Sequence, residues 1–335
     1  MVKIISRRSF ATGVAAAGAL GFTTRVIAQS PDASSDESGE SRIISAANGE
    51  IELSGTPVRV VVMEYELVEH VQAAGVTPVG VTERDTVNEY VPLREPLGED
   101  VVDVGLRDEP DLEAIIGLEP DLIVAASPRQ DAIIEQLQEI APTVQVATYS
   151  PFAAPTGDLG AIDHAKAVFL TVAQALNKVD ESEAEIETFD EHLQASVARV
   201  TELGYEGQPY VYGSINLPGD NSFEVNTDLS RTAATISAMG LTNVISLEDY
   251  PGEHFSTLSM EQAGTLPEDI LFFFCRSEQA NPNIDEALNS DVWQSAGFVK
   301  NGGLVDLGEP FIWFAGGLIT LTGVMDRVIE GLESR

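Results

Sequence analysis

Arginine is scarce in this 335-residue chain, in which 54 acids face 18 bases and the formal charge is −36. Four arginines nevertheless stand where a ligand could meet them. Arg84 in VGVTER, Arg107 in DVGLRDEP, Arg129 in DLIVAASPR and Arg276 in DILFFFCR each follow an apolar run of strand character. A guanidinium offers a planar fork of donors that fits paired oxygens, which a lysine cannot match. Three aromatics take similar places: Tyr65 after VRVVVME, Tyr149 after VQVAT, and Trp313 beyond GLVDLG. Together they suit non-covalent recognition of an anionic or oxygen-rich ligand. The plainer alternative is local pairing; for Arg107 the partners would be the adjacent Asp108 and Glu109. Arg231, in TDLSRTA, reads as a surface charge at a helix start.

Other chemistries lack their residues. His70, His164, His192 and His254 lie far apart, and no HxH, HExxH or CxxC spacing occurs. Cys275 is the sole cysteine, which excludes an internal disulfide and a multi-cysteine metal site. No GxSxG, GxGxxG or P-loop is present. The charge argues against nucleic acid or an anionic membrane as partner. Four lysines against fourteen arginines, amid abundant acid, suggest a surface adapted to high salt; a solubility comparison at low and high salt tests that hypothesis.

The elements that must position these side chains are periodic. ISAANGEIELSG predicts a hairpin around Asn48-Gly49. VRVVVMEY, PVGVTE, DVVDVGLR, DLIVAAS and TVQVAT read as strands, alternating with helices at LVEHVQAAGV, PDLEAIIGLEP and AIIEQLQEIAP. Such alternation means a parallel sheet covered on both faces. Residues 159–203 are helix-compatible, although NKVDESEAEIE in the middle admits a turn. A second series follows: PYVYGSI, a helix around Thr232 to Met239, NVISL, SMEQAGTL as a helix, DILFFFC, GLVDLG and a closing helix over 316–332. The fold class is α/β, two Rossmann-like lobes joined by a single long helix. The lobes span 43–157 and 205–335, with the connecting helix at 158–204. Ligands of open α/β sheets sit outside the carboxyl ends of the strands, which is where the four arginines fall.

Before residue 43 the chain reads as an address. Residues 1–28 hold Arg7 and Arg8, a small apolar stretch, and Val26-Ile27-Ala28 as a cleavage site. SRRSF resembles a twin-arginine export signal. The apolar stretch is too short for a spanning helix, and no lipid-bearing cysteine follows. Residues 29–42 read as a disordered acidic leader. A soluble, monomeric, periplasmic protein is the expectation.

Taken in order, PDLEAIIGLEPDLIVAAS, LEDY, LSMEQAGTLPEDILFFF and WQSAGFVKNGGLVDL resemble the solute-binding proteins of ABC importers for iron–siderophore complexes and vitamin B12. The resemblance covers roughly residues 43–333. It implies the two-lobed fold of class III periplasmic binding proteins, no enzymatic activity and no intrinsic cofactor. Its implied ligand is a ferric siderophore, with iron bound as the chelate, and its implied partners are a membrane permease and its ATPase. DVGLRDEPDLE and PFIWFAGGLITLTGVMDRVI look most like the ferric hydroxamate-binding branch. There, Arg107 would hydrogen-bond the oxygens that coordinate iron and Trp313 would pack on the ligand. The loop after DLIVAAS carries Arg129 where that branch has an aromatic, which favours a more anionic, citrate-type or other carboxylate chelate. Glu113 in PDLE and Glu261 in SMEQ match the glutamates that dock on the permease. Haem or cobalamin is the alternative ligand within the family, with Tyr65 or Tyr149 as the axial candidates. An exported α/β enzyme is the alternative outside it.

Overall fold

The computed structural model describes residues 41–148, 159–215, 222–246, 248–249, 254–275, 284–308 and 316–335. Strands β1 (Ser41–Ala46) and β2 (Gly49–Ser54) form the hairpin expected at Asn48-Gly49. Gly49 makes that turn possible at φ 107°. The acidic leader thus ends sooner than residue 42, because Ser41 and Arg42 are already strand. Arg42 donates from Nε to Gln174 O at 2.7 Å and from Nη2 to Ala175 O at 2.6 Å, which binds the hairpin to the end of a later helix.

The first sheet holds β3 (Val60–Val62), β4 (Gly80–Val81), β5 (Val102–Asp103), β6 (Leu122–Ser127) and β7 (Thr143–Ala147). All are parallel, in the order β5-β4-β3-β6-β7. The crossovers carry α1 (Tyr65–Ala73), α2 (Arg84–Tyr90), α3 (Leu112–Gly117) and α4 (Ile134–Ile140). Strand alternation splits the apolar side chains between two faces. Val60, Val62, Leu122 and Val124 pack into a central core, while Val61, Met63, Ile123 and Ala125 pack on the opposite face with Ile115 and Leu137.

The helical stretch contains the turn that NKVDESEAEIE admits. Helix α5 (Ala161–Leu176) ends at Asn177, which takes the left-handed conformation at φ 58°, and α6 (Val179–Glu202) is the 24-residue connecting helix. Asparagine tolerates that conformation as few other residues do. α5 packs on α1, β7 and β1, and α6 packs on α5 and on the last helix.

The second sheet contains β8 (Pro209–Ile215), β9 (Ser222–Asn226), β10 (Thr242–Asn243), β11 (Phe255–Ser259), β12 (Leu271–Phe274) and β13 (Leu304–Asp306). Its order is β11-β9-β8-β12-β13, with β10 also on β8. The sheet is mixed: β8–β9 and β9–β11 run antiparallel. Around it lie α7 (Arg231–Ala238), α8 (Ile284–Leu288), α9 (Asp291–Ser295), α10 (Gly297–Lys300) and α11 (Leu318–Glu333). SMEQAGTL is a 3₁₀ turn, Met260–Thr265, rather than an α-helix. Of the described residues of NVISL, only Asn243 lies in a strand. Tyr210, Tyr212, Leu271 and Phe273 point into the same central core as the first sheet, so one apolar cluster runs through both lobes. Val211, Phe272 and Phe274 face a separate cluster, where Trp293 meets Phe223, Phe272 and Phe298 edge-on at 5.3–5.6 Å.

Candidate functional site

Four adjacent parallel strands each deliver one charged side chain to the carboxyl edge of the first sheet. β5 leads to Arg107, β4 to Glu83, β3 to Glu64 and β6 to Arg129. Glu64 is the N-cap of α1 and is only 2% exposed. Its Oε1 accepts from Tyr65 N at 2.9 Å and from Arg107 Nη1 at 2.8 Å, while its Oε2 accepts from Arg129 Nε at 2.7 Å. Arg129 Nη1 also donates to Asp108 Oδ1 at 2.6 Å.

Arg107 is held from every side but one. Its Cζ lies 3.6 Å above the Tyr65 ring, a cation–π contact. Its Nε donates to Glu83 Oε2 at 3.3 Å, its backbone N to Glu83 Oε1 at 3.2 Å, and its carbonyl accepts from the fully buried Gln130 at 2.9 Å. Glu83 reaches this place from a left-handed backbone, φ 51° and ψ 48°, a conformation that costs a side-chain-bearing residue energy and is kept where surrounding contacts enforce it. Its carboxylate also accepts from the Tyr65 hydroxyl. Among the described residues, Nη2 of Arg107 has no hydrogen-bond partner. Burial alone would lower the Arg107 pKa, but the Glu64 charge and hydrogen bond raise it above its ordinary value. Burial and the bond to Glu83 push the Tyr65 hydroxyl up.

The turn itself requires glycine. Gly105 has φ 90°, and a Cβ there would stand 2.9 Å from Asp111 N. Asp103 braces the turn by accepting from Gly105 N at 2.8 Å and from Arg84 N at 3.0 Å.

The expected site residues separate into four groups. Arg107, Arg129 and Tyr65 come together, and Arg107 pairs with Glu64 and Glu83 rather than with the adjacent Asp108 or Glu109. Arg84 does not join them; it bonds Asp85 Oδ1 at 2.9 Å and Val101 O at 3.2 Å. Tyr149, Arg276 and Trp313 lie outside the described residues. Glu113, in the first turn of α3, and Glu261, in the first turn of the 3₁₀ segment, are both exposed. Tyr65 is unsuited to axial ligation of haem or cobalamin, since it is 2% exposed with its hydroxyl on Glu83.

Arg231 corrects its sequence reading. Its side chain is only 11% exposed and reaches across to the first lobe, where it pairs with Glu66 of α1. It also donates to Gly316 O at 3.1 Å, Thr148 O at 2.9 Å and His164 Nδ1 at 2.9 Å. Glu66 further contacts His70 Nε2 at 3.2 Å. Burial pushes the Glu66 carboxyl up, yet Arg231 and His70 outweigh it and hold the group at about 2. Burial and the Arg231 charge lower His164 to about 4. One turn along α1, Glu69 accepts from Gly317 N at 3.1 Å and from Thr320 N and Oγ1 at 2.8 Å, capping α11 of the second lobe. Glu64 faces the strand-end cluster, while Glu66 and Glu69, from the same helix, tie it to the second lobe.

At this edge the two guanidiniums are held by the carboxylates of Glu64, Glu83 and Asp108, and among the described residues no group of three histidines, cysteines or carboxylates could hold a metal ion. The periplasmic binding protein profile matches residues 60–310. The chain belongs to that family. As a periplasmic binding protein it is 31% identical over 274 residues, 81% of this chain and 79% of the other, to the Fe(3+)-citrate-binding protein YfmC of Bacillus subtilis (strain 168). It is 25% identical over 281 residues, 82% of this chain and 88% of the other, to the iron(3+)-hydroxamate-binding protein FhuD of Escherichia coli (strain K12). Its fold superposes on Staphylococcus aureus SirA complexed with staphyloferrin B at a TM-score of 0.67, with 22% identity over 87% of this chain and 98% of that one. Among the described residues no helix is long and apolar enough to cross a membrane.

Sequence alone assigns no role to Glu64, Glu66, Glu69 or Glu83 in this architecture. Glu64 and Glu83 stand at strand ends, but only the strand order brings them to Arg107, which lies 43 and 24 residues away from them in sequence. A strand-end glutamate followed by a helix is the signal that marks such positions. Glu69 had no comparable signal, because its partners lie about 250 residues further along the chain.

Proposed function

We propose that this periplasmic binding protein is the extracytoplasmic receptor of an ABC importer, and that it captures ferric iron as a citrate-type, carboxylate-bearing chelate. The observation that carries the reading is the pair Arg107 and Arg129, two guanidiniums fixed side by side at the carboxyl edge of a parallel sheet. Fork-shaped donors favour the outward carboxylates of a citrate-type chelate over a tris-hydroxamate chelate, whose three anionic groups the ferric ion neutralises. The likeness to a ferric-citrate-binding protein supports the same class. The iron is cargo and arrives already coordinated. Arg276, Trp313 and Tyr149 complete the ligand contacts in this reading, and Arg84 stays in reserve at the rim.

The rest of the cycle is transport. A twin-arginine-type signal exports the chain without a lipid anchor, and the protein works as a monomer. Glu113 and Glu261, one on each lobe, dock on the permease, which releases the chelate as its ATPase subunits turn over. Native mass spectrometry of the freshly purified chain, followed by titration with ferric citrate, ferric desferrioxamine, haem and cobalamin, tests the ligand class. Binding of ferric citrate in preference to the other three supports it. Binding of haem or cobalamin alone, or of none of the four, rejects it. The Glu113→Ala/Glu261→Ala double variant should bind as the parent does and fail in uptake; normal uptake would reject the docking role.

A further inference from the structure

We infer that Glu64 is a positioning residue for ligand capture: its buried carboxylate sets the spacing and orientation of Arg107 and Arg129, so that the pair reads two oxygen groups of one ligand at once. The ligand part of this inference rests on the function proposed above; the geometric part does not.

The two arginines come from the loops after β5 and β6, which two other strands separate in the sheet. Like-charged side chains on separate loops repel, and a single carboxylate joins these two at 2.8 and 2.7 Å. Glu64 is a fixed point: it caps α1, and every residue of that helix is buried. Its two oxygens are shared out so that Oε1 fixes Arg107 and Oε2 fixes Arg129. Arg107 meets it through Nη1, which leaves the Nη2 side of the fork for another acceptor. Preorganisation of this kind raises affinity by removing the ordering cost that two mobile arginines would carry into the complex.

The sign of one substitution separates positioning from charge. Glu64 is an anion beside a site for anions. Were its charge all that mattered, Glu64→Gln would make the site more positive and tighten binding. Were its charge all that mattered, Glu64→Asp would change little. Positioning predicts that both variants weaken ferric citrate binding by about tenfold or more, since Gln offers one acceptor in place of two and Asp falls short by a methylene. It also predicts coupling: in an Arg107→Ala background, Glu64→Gln should cost much less than it does alone, because part of its effect runs through Arg107. Additive losses would indicate a general structural defect.

The deciding experiment has two arms on the full chain. In the first, nitrogen-15 spectra of the arginine Nε–H groups are recorded without ligand for the parent, Glu64→Gln and Glu64→Asp. Ordered Arg107 and Arg129 signals in the parent, averaged by exchange in both variants, support the inference. Signals equally ordered in all three proteins overturn it. In the second arm, ferric citrate affinity is measured for the same set and for the cycle with Arg107→Ala. Tighter binding by Glu64→Gln, unchanged binding by Glu64→Asp, or strict additivity overturns it. If the parent binds no ferric chelate, the proposed function falls, and the first arm still decides the role of Glu64.

Discussion

Replacing Arg231 with methionine tests the tie between the lobes most severely. Arg231 and Glu66 are 11% and 9% exposed, so their charges have left water and depend on each other. Methionine keeps the length and apolar stem, and it removes the donors to Glu66, Gly316 O, Thr148 O and His164 Nδ1. Glu66 then keeps His70, itself fully buried, at 3.2 Å. Two routes give the cost. Removing one partner of a buried pair costs about 3–5 kcal/mol. Holding the Glu66 carboxyl at about 2, against an ordinary 4.5, corresponds to roughly 3 kcal/mol of stabilisation at neutral pH, part of it from His70. Arg231→Met should therefore lose about 3–5 kcal/mol, read by equilibrium urea unfolding at fixed salt with circular dichroism and tryptophan fluorescence. The Glu66→Gln/Arg231→Met double variant should recover most of the loss, because no buried charge is left without its partner. A loss under about 1 kcal/mol, as a surface pair gives, or a double variant worse than Arg231→Met, refutes the reasoning.

Three further outcomes follow from the same contacts. His164 is held at about 4, below its ordinary 6.5, so the folded state resists its protonation. The stability it contributes is complete above pH 6.5 and is lost as the pH falls from 6.5 towards 4; Glu66 adds a second loss from 4.5 towards 2, while Glu69, raised by burial, works in the opposite sense. Unfolding midpoints measured between pH 8 and 3 check this, and a midpoint flat from 7 to 4.5 contradicts it. Gly105→Ala should cost about 1–3 kcal/mol, since alanine there is strained and meets Asp111 N, and chelate affinity should fall with it as the Arg107 turn shifts. The Cys275 thiol, buried and pushed up to about 12, should resist iodoacetamide at pH 8 until urea unfolds the chain; prompt alkylation of the native protein would contradict its burial.

Much of the fold was legible because it rests on period and punctuation. The runs around Val61 and Ile123 are apolar throughout, as strands buried on both faces must be. The antiparallel strands Ser222–Asn226 and Phe255–Ser259 escaped, although SFEVN places Phe223 and Val225 two residues apart. Each is only five residues long, and a short alternating run without a tight turn carries little signal. The positions of Arg107 and Arg129 were legible from scarcity of base and from place at a strand end. Their partners were not, since sheet order rather than sequence distance decides who meets whom. Arg231 was misread for a physical reason. A cation at the start of a helix is unfavourable for that helix, so solvation looked the cheaper fate; a carboxylate on the other lobe reverses the balance.

Equilibrium dialysis of iron-55 ferric citrate against the full-length chain and its Arg107→Ala variant tests the central claim most directly. The account predicts saturable binding by the parent at micromolar concentration or below. It predicts a loss of about tenfold or more in the variant, whose unfolding transition stays cooperative. A parent that takes up no ferric citrate, or a variant that binds it as tightly as the parent, would contradict the account.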